Sequence, residues 1–189
     1  MEPLLCGRLQ CSSLSGGRRG REKGGPKEPK DHALGRSHGG FGSKLHLVAE
    51  GHGIPLAVHV TPGQAHESKA FETVVNRVRI PQPAGAPRTR PTALAGDKGY
   101  SYPRIRGWLK CHTIQAVIPR RKDQHPEDGR CRFGKKLYRR RSTVEQCIGW
   151  IKECRRLGTR FEKLAVNFLA MIHVAFIARY LRILFSDTA

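Results

Sequence analysis

Acidic residues are scarce in this sequence. Fifteen Asp and Glu stand against 35 Lys and Arg in 189 residues, giving a formal charge of +20 and an isoelectric point near 10.5. That imbalance excludes a surface that neutralises itself through ion pairs, and the resulting self-repulsion favours a polyanionic partner, nucleic acid first. The six cysteines form no CxxC pair and no Cys/His zinc spacing, which removes zinc modules and dithiol redox chemistry. Without a secretory leader they read as free thiols in a reducing cytosol. No internal repeat occurs, and no stacking-rich motif of the kind RNA modules use. A long unbroken hydrophobic run is also missing. Residues 164–185, LAVNFLAMIHVAFIARYLRILF, have the length of a membrane span, but Asn167, His173, Arg179 and Arg182 interrupt them. The run reads as a buried C-terminal helix, apolar nearly all the way round, in a protein with no membrane partner.

Gly and Pro are plentiful, 21 and 12 residues, and cluster near the N-terminus and around 81–91. Residues 1–43 show no sustained apolar period, so little burial offsets the entropy of ordering them, and a disordered basic tail is expected there. From Lys44 the pattern changes. KLHLVAE, the reversal GHG, and IPLAVHVT predict a hairpin with strands at about 44–50 and 54–61. HESKAFETVVNRV spaces Ala70, Val74, Val75 and Val78 as a helix does. TALAGD is a short apolar run ending in Asp97, SYPRIRGWLKCHTI places Pro103 in the first turn of a helix, and QAVIPRR reads as a further strand. A charged loop at 122–135 precedes a long helix from about 137 to 156. The order is that of an α/β fold, a mixed sheet with antiparallel and crossover connections flanked by helices over 44–189.

Two acids stand out. In YRRRSTVEQCIGWIK, a helix turning 100° per residue brings Tyr138, Arg141, Glu145 and Lys152 within an arc of about 60°. Val144, Cys147, Ile148 and Ile151 occupy the adjacent arc and offer a packing face. Glu145 then serves either as half of an ordinary i, i+4 ion pair with Arg141 or as a metal ligand beside phosphate-binding cations. Asp97 ends an apolar strand, where α/β sheets commonly carry functional groups, or else it caps the turn that follows. Together the two suggest phosphoryl transfer through divalent ions. A further acid is needed, and neither Asp31 nor Glu50 is convincing.

The Tyr-x2-Arg-x3-Glu-x6-Lys spacing at 138, 141, 145 and 152 resembles the signature of DDE transposases of bacterial insertion sequences. GRSHGGFGSKLHLVAEGHGIPLAVHVTPGQAHESKAFE and LAGDKGYS resemble segments of the group called insertion-sequence family five, and the similarity runs from about Lys23 nearly to the C-terminus. The resemblance implies a ribonuclease-H-like core and a two-ion Mg²⁺ (or Mn²⁺) site. It implies hydrolysis at the element's ends and attack of the freed 3′ hydroxyl on target double-stranded DNA. By position Asp97 and Glu145 match the second and third acids, and Tyr138, Arg141 and Lys152 match residues that contact DNA phosphates or order the site. Gln64 and His66 match family positions without an assigned chemical role.

The chain departs from that pattern at its front. The family carries its first Asp on the opening strand of the sheet, and MEPLLCGRLQCSSLSGG has no Asp in a β-type run. The expectation is therefore a C-terminal portion lacking its first strand and first metal ligand. It is either the downstream frame of an element whose upstream frame encodes that Asp, or a truncated relic, and it is inactive alone. A homo-oligomer when active, association with the upstream-frame polypeptide, and a cytoplasmic, nucleoid-associated location complete the reading. The alternatives are a non-catalytic DNA-binding protein or inhibitor derived from a transposase, and an RNA-binding protein.

Overall fold

The computed structural model describes residues 4–12, 32–37, 40–122, 124, 134–139 and 141–186. Among these residues six strands and six α-helices make an α/β arrangement: β1 (Leu4–Ser12), β2 (Gly35–Ser37), β3 (Gly40–Ala49), β4 (Pro55–Pro62), α1 (Glu67–Val75), β5 (Ala93–Ala95), α2 (Pro103–Cys111), β6 (Gln115–Val117), α3 (Lys135–Arg139), α4 (Ser142–Glu153), α5 (Arg155–Gly158) and α6 (Ala165–Ser186). The sheet is ordered β2-β3-β1-β5-β6, with β4 also paired to β3. β1 runs parallel to β5, Leu4 opposite Leu94 and Leu5 opposite Ala95. β6 continues parallel to β5, and β2 pairs antiparallel with the first three residues of β3. The sheet is mixed, as the sequence pattern implies.

β1 corrects the expectation that the first strand is missing, and β1, β2 and the start of β3 fall within the stretch read as a disordered tail. Leu5, Leu9 and Cys11 give LLCGRLQCS only a weak period-two signal, too short a run to register without its partners. Parallel pairing with β5 supplies what local propensity does not. Residues 1–3, 13–31 and 38–39 of that stretch lie outside the described residues.

The predicted hairpin forms with strands close to the expected bounds, and its turn is closed by Glu50 N–H on Ile54 O and Gly53 N–H on Glu50 O, both at 3.0 Å. α2 begins with Pro103 at its first position, where the missing N–H costs nothing. The single helix expected at 137–156 is instead three. α3 ends at Arg139 and α4 begins at Ser142, whose hydroxyl donates to the Arg139 carbonyl at 3.1 Å. Such back-bonding by Ser competes with helix continuation, and the Arg run before it adds like-charge repulsion.

Contacts divide the chain into two compact units. The first comprises Met1–Arg8, His46–His59 and His66–Cys147. Its core gathers Val48, Phe71, Val74, Val75, Leu94, Tyr100, Ile105 and Leu109, all fully buried, each such side chain contributing about 1.5–3 kcal/mol of transfer free energy. The second comprises Leu9–Leu45, Val60–Ala65 and Ile148–Ala189. There α5 packs on α6, and the buried Arg160 guanidinium donates to the carbonyls of His32 at 2.5 Å and Ala33 at 3.2 Å. α6 departs from the expected fully buried helix. Phe168, Ile172 and Phe176 bury one face, while Val166, Val174, Ile177 and Leu184 are more than half exposed. By length and composition it could cross a membrane, with a mean hydropathy of 1.7 over its most apolar stretch.

Candidate functional site

Asp97 stands two residues past the end of β5, half-buried in the first unit. Its Oδ1 accepts from the Gly99 N–H at 2.8 Å and caps a short 3₁₀ turn, Lys98–Tyr100. Both sequence readings of this acid are therefore compatible with its place: it caps a turn, and it does so at the end of a sheet strand. Tyr100 anchors the turn by burying its ring in the core, 5.8 Å from that of Phe71.

A second carboxylate reaches the same turn. Glu67, the first residue of α1, is 8% exposed. Its Oε2 lies in the space a Cβ on Gly99 would fill, its carboxyl carbon 3.2 Å and Asp97 Oδ1 2.9 Å from that point. A side chain at 99 would have to displace the Glu67 carboxylate. In the sequence Glu67 signals only a charge suited to a helix start. The tertiary meeting of α1 with the turn, which no local pattern encodes, brings it to Asp97.

The Tyr138 row is assembled differently from the predicted single helical face. Tyr138 lies on α3 and Glu145 on α4, so the break corrects the helical-wheel placement. Arg141, between the two helices, nevertheless joins them: its guanidinium sits 5.5 Å from the centre of the Tyr138 ring, and its Nη2 pairs with Glu145 Oε1 at 2.7 Å. Glu145 is 57% exposed in that pair. Lys152 is exposed two turns further along α4. Gln64 and His66 take structural roles. The Gln64 amide packs over Gly35, and His66 caps α1.

These donors do not make up a complete two-ion set. Among the described residues no three His, Cys, Asp or Glu side chains gather as metal ligands. Asp97 and Glu67 share one glycine, and Glu145 is held by Arg141. β1 carries no Asp or Glu at all.

A sequence profile described as Transposase DDE domain matches residues 15–181. The chain belongs to this transposase family. Over 159 residues it is 32% identical to a Burkholderia cepacia protein named "Putative transposase for insertion sequence element IS402". That alignment covers 84% of this chain and 66% of the relative, so the chain spans less than two thirds of the relative's length. No solved structure matches. Within this DDE family chain, the α/β fold and the quoted motifs agree in placing Asp97 at a strand end and Glu145 on a helix.

Proposed function

We propose that the chain is the C-terminal portion of a DDE transposase of insertion-sequence family five, built on a ribonuclease-H-like core. The complete enzyme hydrolyses phosphodiester bonds at insertion-sequence ends and transfers the freed strand to target double-stranded DNA, as a homo-oligomer in the cytoplasm, at the nucleoid. Asp97 and Glu145 are its second and third acids, and Tyr138, Arg141 and Lys152 contact DNA phosphates. The observation that carries this reading is the central place of β1 beside β5, whose end bears Asp97. Continued by two residues, the β1–β5 register sets Gly7 level with Asp97. In this reading an acid belongs near that point, and the strand has none.

The first Asp is thus absent while its strand is present. Mg²⁺ or Mn²⁺ ions supply charge stabilisation and an activated oxygen in the complete enzyme, and the acids described here are too few to hold two of them. The chain alone binds DNA through its cationic surface and does not cleave it; the missing acid is encoded in an upstream frame or has been lost. Incubation of the purified chain with element-end duplex and Mg²⁺ is expected to leave the DNA intact, with salt-dependent binding retained. Nicking that disappears in Asp97→Ala and Glu145→Ala would overturn the inactivity, and failure to bind duplex DNA would overturn the reading as a whole.

The Arg141–Glu145 pair favours a second reading, a non-catalytic DNA-binding protein derived from a transposase. Affinity for duplex that is indifferent to Mg²⁺ and to loss of both acids would select it.

A further inference from the structure

Two helix starts meet beside the turn that carries Asp97. His66, the cap of α1, accepts the Ser68 N–H at Nδ1 (3.3 Å), and Ser68 Oγ lies 3.0 Å from the same nitrogen. Its other nitrogen, Nε2, is 2.8 Å from Tyr102 Oη. Tyr102 itself occupies the cap position of α2 and makes no side-chain capping bond. Arg104, on α2, ties the two helices together through the Glu72 carboxylate and the Ser68 carbonyl. Arg121, four residues past β6, donates Nη2 to the same Tyr102 Oη at 2.8 Å and lays its guanidinium 4.3 Å from the ring centre. Its Nε donates to the carbonyl of Lys98, next to Asp97, at 3.4 Å.

Hydrogen-bond valence shows what this cluster lacks. With Nδ1 accepting the Ser68 N–H, as the cap of α1 requires, the neutral imidazole carries its proton on Nε2. In that tautomer His66 donates to Tyr102. The Tyr102 oxygen then accepts twice, from His66 and from Arg121, and its own O–H proton finds no acceptor among the described residues. Arg121 Nη1 also has no partner among them. Neither Asp97 nor Glu67 supplies the acceptor, since Asp97 Oδ1 takes the Gly99 N–H and the Glu67 carboxylate is turned to Gly99. Two unused donors, one of them on a guanidinium, stand at a half-exposed surface where the positive ends of α1 and α2 converge.

We propose that His66, Tyr102 and Arg121 form a phosphodiester-binding site that seats a DNA backbone phosphate beside the Asp97 turn. Tyr102 and Arg121 donate to the phosphate oxygens, and His66 orients Tyr102. The proposal rests on the reading of the chain as DNA-binding and adds two phosphate-binding residues, with one that positions them, to the Tyr138 row. A singly charged phosphodiester fits two adjacent donors, and the charge of +20 directs the site to a polyanion.

The test uses the full chain and a labelled duplex across a salt series. Tyr102→Phe keeps the ring under Arg121 and is expected to weaken binding about 2- to 10-fold, uniformly across sequences. Arg121→Gln is expected to lower the slope of log affinity against log salt by about one. Arg79→Gln removes one charge from an exposed arginine that bonds only neighbouring carbonyls, and should leave the slope close to that of the native chain. A parallel titration with dimethyl phosphate, followed by NMR, should shift the Ser68, Gly99 and Tyr102 amides in the native chain and not in Arg121→Gln. Native-like duplex binding by both variants, with no amide shifts, overturns this site while DNA binding stands. Amide shifts without duplex binding uphold the phosphate site and overturn the DNA reading; neither shifts nor duplex binding overturns both.

Discussion

Glu67 and Asp97 hold their carboxylates against one glycine, the first closing over the Cβ space of Gly99 and the second 2.9 Å from that point. Gly99→Ala therefore has to displace a buried acid or shift the turn. The expected cost is about 1–3 kcal/mol, the usual range for overpacking a filled site, read by urea unfolding. Native stability in this variant would mean that Glu67 swings away freely.

Asp97 has a structural role separable from its chemical one. Asp97→Asn keeps an oxygen for the Gly99 N–H and should unfold close to the native midpoint, whereas Asp97→Ala loses the cap and about 1 kcal/mol. Equal losses in the two variants would count against the cap as the source of the stabilisation.

The Arg141–Glu145 pair is an i, i+4 contact with the acid more than half exposed, so it contributes little to folding. Glu145→Gln is expected to change stability by less than about 0.5 kcal/mol. A larger effect, persisting in high salt, would show that Glu145 supports the fold through something other than this pair.

β1 lies inside the sheet, between β3 and β5. Removing residues 1–12 strips both neighbours of their ladder and leaves two open edges. Loss of a cooperative unfolding transition, with aggregation during purification, is the expected outcome; a monomeric truncated chain that melts like the native one would show that β1 is dispensable.

α6 separates core from surface along one helix. Ile172 is fully buried and Ile177 is 56% exposed. Ile172→Ala should cost about 2–5 kcal/mol, and Ile177→Ala about 0.5 kcal/mol or less. Comparable losses at both positions would mean that the outer face is covered in solution.

Much of the fold was legible because local signals and tertiary environment agree. GHG between two β-branched runs marks the β3–β4 turn, Pro103 marks the start of α2, and the spacing of Ala70, Val74 and Val75 marks α1. β1 was not legible, because its place depends on pairing with residues some ninety positions away and its own alternation is slight. The breaks on either side of α4 were hidden by the apolar period that continues through Val144, Ile148 and Ile151. Within the site, Asp97 could be singled out from its strand end and Glu145 from its spacing to Tyr138, Arg141 and Lys152. Glu67, Tyr102 and Arg121 could not, since only the packing of α1 against the turn, and of the segment after β6 against Tyr102, brings them together.

The occupied centre of the sheet constrains how the proposed enzyme could be made whole. With β1 seated between β3 and β5, an upstream polypeptide that brought its own opening strand would find no vacant slot and would have to evict β1 first. Repair from within the chain asks for much less, a single carboxylate near Gly7. On the proposed reading, what the sheet wants is one side chain rather than one strand.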